Sequence, residues 1–161
     1  MYKINCDKKI LHDMRDDELQ VINPSLSLEL NAFGELNFSI LNSHPNKDYI
    51  KKLTSNIEVF DDDKLIFSGR SLTDEKDFYL TGQVYCEGEL AFLLDSISRP
   101  YEVHDLTVKE YLNMLINSHN EQVEDRKKFT VGIVDVIDPA GDGLLYRKND
   151  NYVSTWNDII D

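Results

Sequence analysis

Short runs in which apolar and polar residues alternate fill the first half of the chain. Tyr2, Ile4 and Cys6 alternate with Lys3 and Asn5, Asp7-Lys8 supplies a turn, and Ile10-Leu11-His12 returns as a small hairpin. Asn23-Pro24 punctuates the run Leu19 to Ile22. Leu26, Leu28 and Leu30 then alternate with Ser25, Ser27, Glu29 and Asn31. Leu36, Phe38 and Ile40 do the same after the turn Ala32-Phe33-Gly34-Glu35, so the pair reads as a β-hairpin. Residues 46–53 fit a short helical turn. Ile57-Val59-Phe60, Leu65 to Arg70 and Gln83 to Gly88 are three further strands. The second runs on through Leu72 toward Glu75, and turns lie at Asp61-Asp62-Asp63 and at 77–82.

The pattern changes after Gly88. Leu90-Ala91-Phe92-Leu93-Leu94 is too apolar for an open loop and reads as a helical turn packing on the strands. A connector with Pro100 covers 95–105. Thr107 with Glu110 forms a capping box ahead of Val108, Tyr111, Leu112, Leu115, Ile116 and His119, which share one helical face; this helix should end near Val123. Phe129, Val131, Ile133, Val134 and Val136 predict another strand, 138–143 a loop, and Leu144-Leu145-Tyr146 a short strand. Ser154 or Thr155 caps a helix that begins with Trp156, Ile159 and Ile160. One turn cannot bury that face, so the chain reads as the N-terminal part of a longer protein. The expected fold is α+β: an antiparallel β-barrel domain over 1–95, then a partial helix-containing α+β domain over 96–161.

An apolar share of 41% is enough to build a core. The 17 Lys and Arg against 30 Asp and Glu leave a charge of −13, which argues against nucleic-acid recognition and against docking on an anionic membrane. No run of about 18 apolar residues offers a membrane span, and no apolar segment follows Lys3 as in a signal peptide. The chain is therefore expected to fold in a cytoplasm, with Cys6 and Cys86 as two buried thiols. His12, His44, His104 and His119 stand in no two-histidine metal spacing, and Asp61-Asp62-Asp63 lacks the alternation and glycine of a calcium loop. No phosphate-binding glycine motif or nucleophile elbow occurs, and Cys86 has no neighbouring cation. The residues thus predict no catalytic, metal or cofactor site.

Four stretches carry a family likeness: Tyr2-Lys3-Ile4 through Ile10-Leu11-His12-Asp13 to Leu19-Gln20-Val21-Ile22-Asn23-Pro24; Leu26 to Asn31 with Gly34 to Ile40 and His44-Pro45-Asn46; Ile57-Glu58-Val59-Phe60 with Ile66-Phe67-Ser68-Gly69-Arg70; and Cys86-Glu87-Gly88-Glu89 through Asp95-Ser96. In this order the chain resembles the N-terminal region of phage and prophage tail hub proteins, the tail-associated lysin or prophage endopeptidase tail family. The resemblance implies a barrel related to tail-tube proteins and a homotrimeric hub in the full-length protein. That hub caps the tail tube at the virion tail tip, after assembly in the bacterial cytoplasm. Its partners would be the distal tail protein ring and the tail tube or tape-measure protein. Wall-cleaving modules, where present, would follow further along. The charge of −13, and not the resemblance, suggests that the channel through such a hub would be acidic and let DNA slide past.

Candidate contact residues are Phe33 and Glu35 at the hairpin tip and Asp138 and Asp142 in the later loop. The rival readings are a cell-wall carbohydrate or receptor-binding module, and part of a peptidoglycan hydrolase whose catalytic domain lies C-terminal.

Overall fold

The structure is a computed structural model that describes residues 1–72, 81–136 and 144–160, with 75–76 described by backbone alone. The expected loop at 138–143, with Asp138 and Asp142, lies outside the described residues, as does most of the turn at 77–82. The chain is α+β and divides into two compact units, Met1–Glu89 and Leu90–Asp161.

In the first unit the alternating runs become β1 (Tyr2–Cys6), β2 (Lys9–Asp13), β3 (Ile22–Ser27), β4 (Glu35–Leu41), β5 (Asn56–Asp61), β6 (Lys64–Ser71), β7 (Glu75–Lys76) and β8 (Thr81–Gly88). They pair antiparallel in the order β2-β1-β5-β6-β8-β4-β3, with β7 beside β8. The sheet curls into a half-barrel, so the expected barrel is present as an open one with β2 and β3 at its ends. Period-two alternation puts one side of every central strand inside. Ile4 stands opposite Val59, Val59 opposite Phe67, Leu36 opposite Cys86 and Phe38 opposite Val84. These residues, with Cys6, Leu11, Ile40 and Ile57, form one core. Both thiols are free and buried. Burial pushes Cys6 up to about 11 and Cys86 to about 12, which keeps both protonated at neutral pH.

Two expectations for β3 are corrected. Asn23-Pro24 does not stop the strand: the ladder to β4 shifts register between Ile22 and Ser25, and Asn23 takes φ 48° there. Proline is tolerated because β3 is an edge strand, where no N–H has to serve a second neighbour. The strand also ends at Ser27 instead of running through Leu30. Leu28 and Leu30 are 55% and 93% exposed, because Ser27 already pairs with Glu35 and leaves residues 28–34 to the connecting loop. Residues 46–53 form only a single 3-10 turn at Lys47–Tyr49.

A 3-10 segment, Glu89–Asp95, leads into the second unit and buries Ala91, Phe92 and Leu93. The supposed connector after it contains β9 (Ile97–Ser98) and β10 (Tyr101–Leu106). Their partners arrive much later in the chain: β10 pairs with β11 (Leu145–Asn149) and β9 with β12 (Val153–Ser154). Between them runs α1 (Val108–Asn120), with the full Thr107–Glu110 capping box. The last element is α2 (Thr155–Ile160), whose start is held by Ser154 Oγ accepting the Asn157 N–H at 3.2 Å.

The predicted strand at 129–136 is not formed. The segment has no ladder partner among the described residues, and Ile133 is 98% exposed. What holds its start is a side chain: Asn120 donates to the Phe129 carbonyl at 2.8 Å and accepts the Phe129 N–H at 2.9 Å. That amide imitates one rung of a sheet and ends the need for a strand neighbour at that residue.

Candidate functional site

The hairpin tip is the first predicted contact region. Gly34 takes φ +77°, a left-handed value that suits glycine, and its carbonyl accepts the Gly88 N–H at 3.0 Å. The Phe33 carbonyl lies so close over Gly88 that a β-carbon there would overlap it. Gly69, directly opposite Gly88, has the Glu87 carbonyl over it in the same way. The turn is therefore pinned against the end of β8, with Phe33 half-buried and Glu35 exposed. Glu35 hydrogen-bonds Tyr85, which together with burial raises that phenol above its ordinary range. Beside this pair, Arg70 on β6 donates Nε–H to Glu87 Oε1 at 2.6 Å, with both side chains largely out of solvent.

A larger feature was invisible in the sequence. The half-barrel encloses an apolar cleft of about 510 Å³. Ile4, Val59, Ile66 and Leu36 form its lining, and Tyr2, His12 and Met14 from one end of the sheet face Pro24, Leu26 and Leu28 from the other. Tyr2, Met14 and Leu28 are 54%, 62% and 55% exposed. Large side chains left this open around one cleft are the mark of a contact surface. Leu26 and Leu28 contribute to it, but the leucine alternation at 26–30 in the sequence signals only a strand face.

At one rim of the sheet Asp13 is buried and accepts three hydrogen bonds from Arg15, from its backbone N–H at 3.1 Å and its guanidinium at 3.0 and 2.9 Å, with Lys3 at 3.4 Å. The hydrogen bonds from Arg15 keep this carboxyl far below the usual carboxylate range.

The second unit has two polar clusters that resemble catalytic groupings. Ser96 Oγ lies 2.6 Å from His119 Nδ1 and 2.7 Å from Thr155 Oγ1. His119 Nε2 must donate to the Lys127 carbonyl, 2.9 Å away, so Nδ1 accepts from Ser96. Nucleophile and base are thus in reach of each other, but all three residues are at most 1% exposed, and a backbone carbonyl stands where a triad has its carboxylate. No substrate reaches a hydroxyl sealed this way; the cluster ties α1 to α2.

Asp158 does similar work. It accepts from Ser98 and from Tyr101, whose hydroxyl also meets Tyr111 at 2.6 Å. Burial, with Tyr111 and Asp158 adding to it, raises the Tyr101 phenol far above its ordinary value.

On the surface, His104 lies against Tyr146 with centroids 4.6 Å apart and the rings tilted by 37°, and both reach Glu102. No cluster of three or more metal-ligating side chains occurs among the described residues. No described helix is long and apolar enough to cross a membrane. No protein-family model matches the chain, and no curated protein matches it.

Proposed function

We propose that this chain is an assembly module of a phage or prophage tail tip: a structural, non-enzymatic part of the baseplate hub. It would cap the tail tube, join it to the distal tail ring and leave a path for DNA. The observation that carries the reading is the open apolar cleft of the half-barrel, with Tyr2, Met14 and Leu28 standing around it. A curled sheet with an uncovered apolar concavity gains most by seating a neighbour, and symmetric repetition of such contacts closes a ring. The resemblance of the quoted sequence stretches, in their order along the chain, to tail hub proteins supports a tail-tip ring as that assembly. A net charge of −13 suits a wall past which DNA slides.

The test is to charge the cleft. Met14→Glu and Leu28→Asp alter side chains that are mostly exposed, so folding should be untouched. Self-association measured by sedimentation should weaken at least about tenfold. Unchanged association in both variants would remove the cleft from the interface.

A receptor-binding reading has one observation of its own, the exposed Glu102, His104 and Tyr146 patch, since adjacent rings beside a carboxylate suit a sugar. Binding of cell-wall glycans there, with no self-association, would favour it.

A further inference from the structure

The outer edge of β2 is closed by two imidazoles and by one backbone bond, from the Asp13 N–H to the Leu19 carbonyl at 2.9 Å, instead of another strand. Leu11 is the extra residue of a bulge, since His12 pairs with Ile4 and Ile10 with Asn5. Its carbonyl accepts from His44 Nε2 at 3.0 Å. The Nδ1 of the same ring accepts the Asn46 N–H at 3.1 Å, and the Asn46 side chain donates to the Ile10 carbonyl at 2.8 Å. One residue along β2, His12 Nδ1 accepts the Val21 N–H at 3.3 Å, which joins the strand to the segment leading into β3.

A backbone N–H only donates, so each Nδ1 must carry its lone pair and both rings must be neutral. The next proton each ring takes goes to Nδ1 and sets N–H against N–H.

We propose that His12 and His44 form an acid-released latch: protonation of the two rings frees the β2 edge and opens that side of the cleft, while the β4–β8 ladder stays paired. The latch is a property of this chain alone and does not rest on the tail-hub reading.

The surrounding charges do not oppose it. Asp13, next to His12, favours the protonated ring, but its carboxylate is already engaged by Arg15 and by Lys3 of β1. The cleft wall facing His12 is Pro24, Leu26 and Leu28, with Tyr2 the other titratable group in the lining. His44 is buried between the Leu11 carbonyl at Nε2 and the Asn46 N–H of its own turn at Nδ1. No carboxylate among the described residues bonds either ring. Burial lowers both rings below the ordinary imidazole value of 6.5. The open edge therefore binds protons first. The latch is fully held above about pH 6.5 and loosens as the pH falls through that value.

Amide hydrogen exchange, corrected for the intrinsic rate at each pH, tests this. The Val21 and Asn46 amides should lose at least about tenfold protection between roughly pH 6.5 and 5, while amides of the β4–β8 ladder keep theirs. His12→Asn and His44→Asn each place a non-titrating acceptor near the Nδ1 position, and the double variant should show no acid-dependent loss. Constant protection in the native chain, equal loss in every strand, or native-like loss in the double variant would each overturn the latch. If the double variant does not fold, NMR titration of the two native rings decides: midpoints below 6.5 are expected, and midpoints at or above it overturn the proposal.

Discussion

Gly88→Ala is expected to lower the stability of the half-barrel by about 3 kcal/mol. Three stretches of backbone converge at this position: β8 itself, β6 at Gly69 and the turn at Phe33-Gly34. A methyl group at residue 88 would occupy the space of the Phe33 carbonyl oxygen, which is backbone and cannot swing aside like a side chain. Relief requires the turn to lift, and that breaks the hydrogen bond from Gly88 N–H to the Gly34 carbonyl. For a unit of this size the loss corresponds to a fall in Tm of roughly 12–24 °C. Far-UV circular dichroism is the suitable probe, because the single tryptophan, Trp156, lies in the second unit. Gly132→Ala is the control, since its added methyl meets nothing within 4 Å. A Gly88→Ala loss below about 1 kcal/mol would mean that the turn is not held on β8.

Arg70→Ala should cost a similar amount, about 3 kcal/mol. Arg70 and Glu87 are register partners across β6 and β8, and their side chains are only 9% and 14% exposed. Water cannot replace the guanidinium at such a site, so the Glu87 carboxylate loses its charge partner without regaining full hydration. The double replacement Arg70→Met with Glu87→Leu removes both charges and fills their volume. It should recover most of the stability, as expected when the cost is the stranded charge and not the missing contact. Denaturant midpoints of the three variants measure this. A cost under about 1 kcal/mol for Arg70→Ala would place the pair among ordinary surface ion pairs.

The parts of the fold that were legible in the sequence are those whose signal is local. β1, β4, β5, β6 and β8 bury one face each, so Ile4, Phe38, Val59, Phe67 and Val84 fall at every second position and show as alternation. α1 announces itself because Thr107 and Glu110 are three residues apart and bond each other directly.

What was missed depends on distant partners. β9 and β10 carry Ser98, Glu102, His104 and Asp105, and become strands only because residues 145–154 return to pair with them. The stretch with Val131, Ile133 and Val134 has the right alternation and no edge to join, so pattern alone overstated it. The candidate site was harder still. Tyr2 and Leu28 come to one cleft only when the sheet curls, and His44 reaches the Leu11 carbonyl of β2 from beyond an intervening hairpin. Gly69 and Gly88 read as ordinary strand glycines until the Phe33 turn is seen lying over one of them.

Self-association is what the proposed function asks of this chain. The native mass of the full-length protein, measured by sedimentation at about 10 μM, is the decisive test. The expected species holds three chains, and the Met14→Glu and Leu28→Asp changes should weaken its formation. A single-chain mass holding at that concentration and above would contradict it.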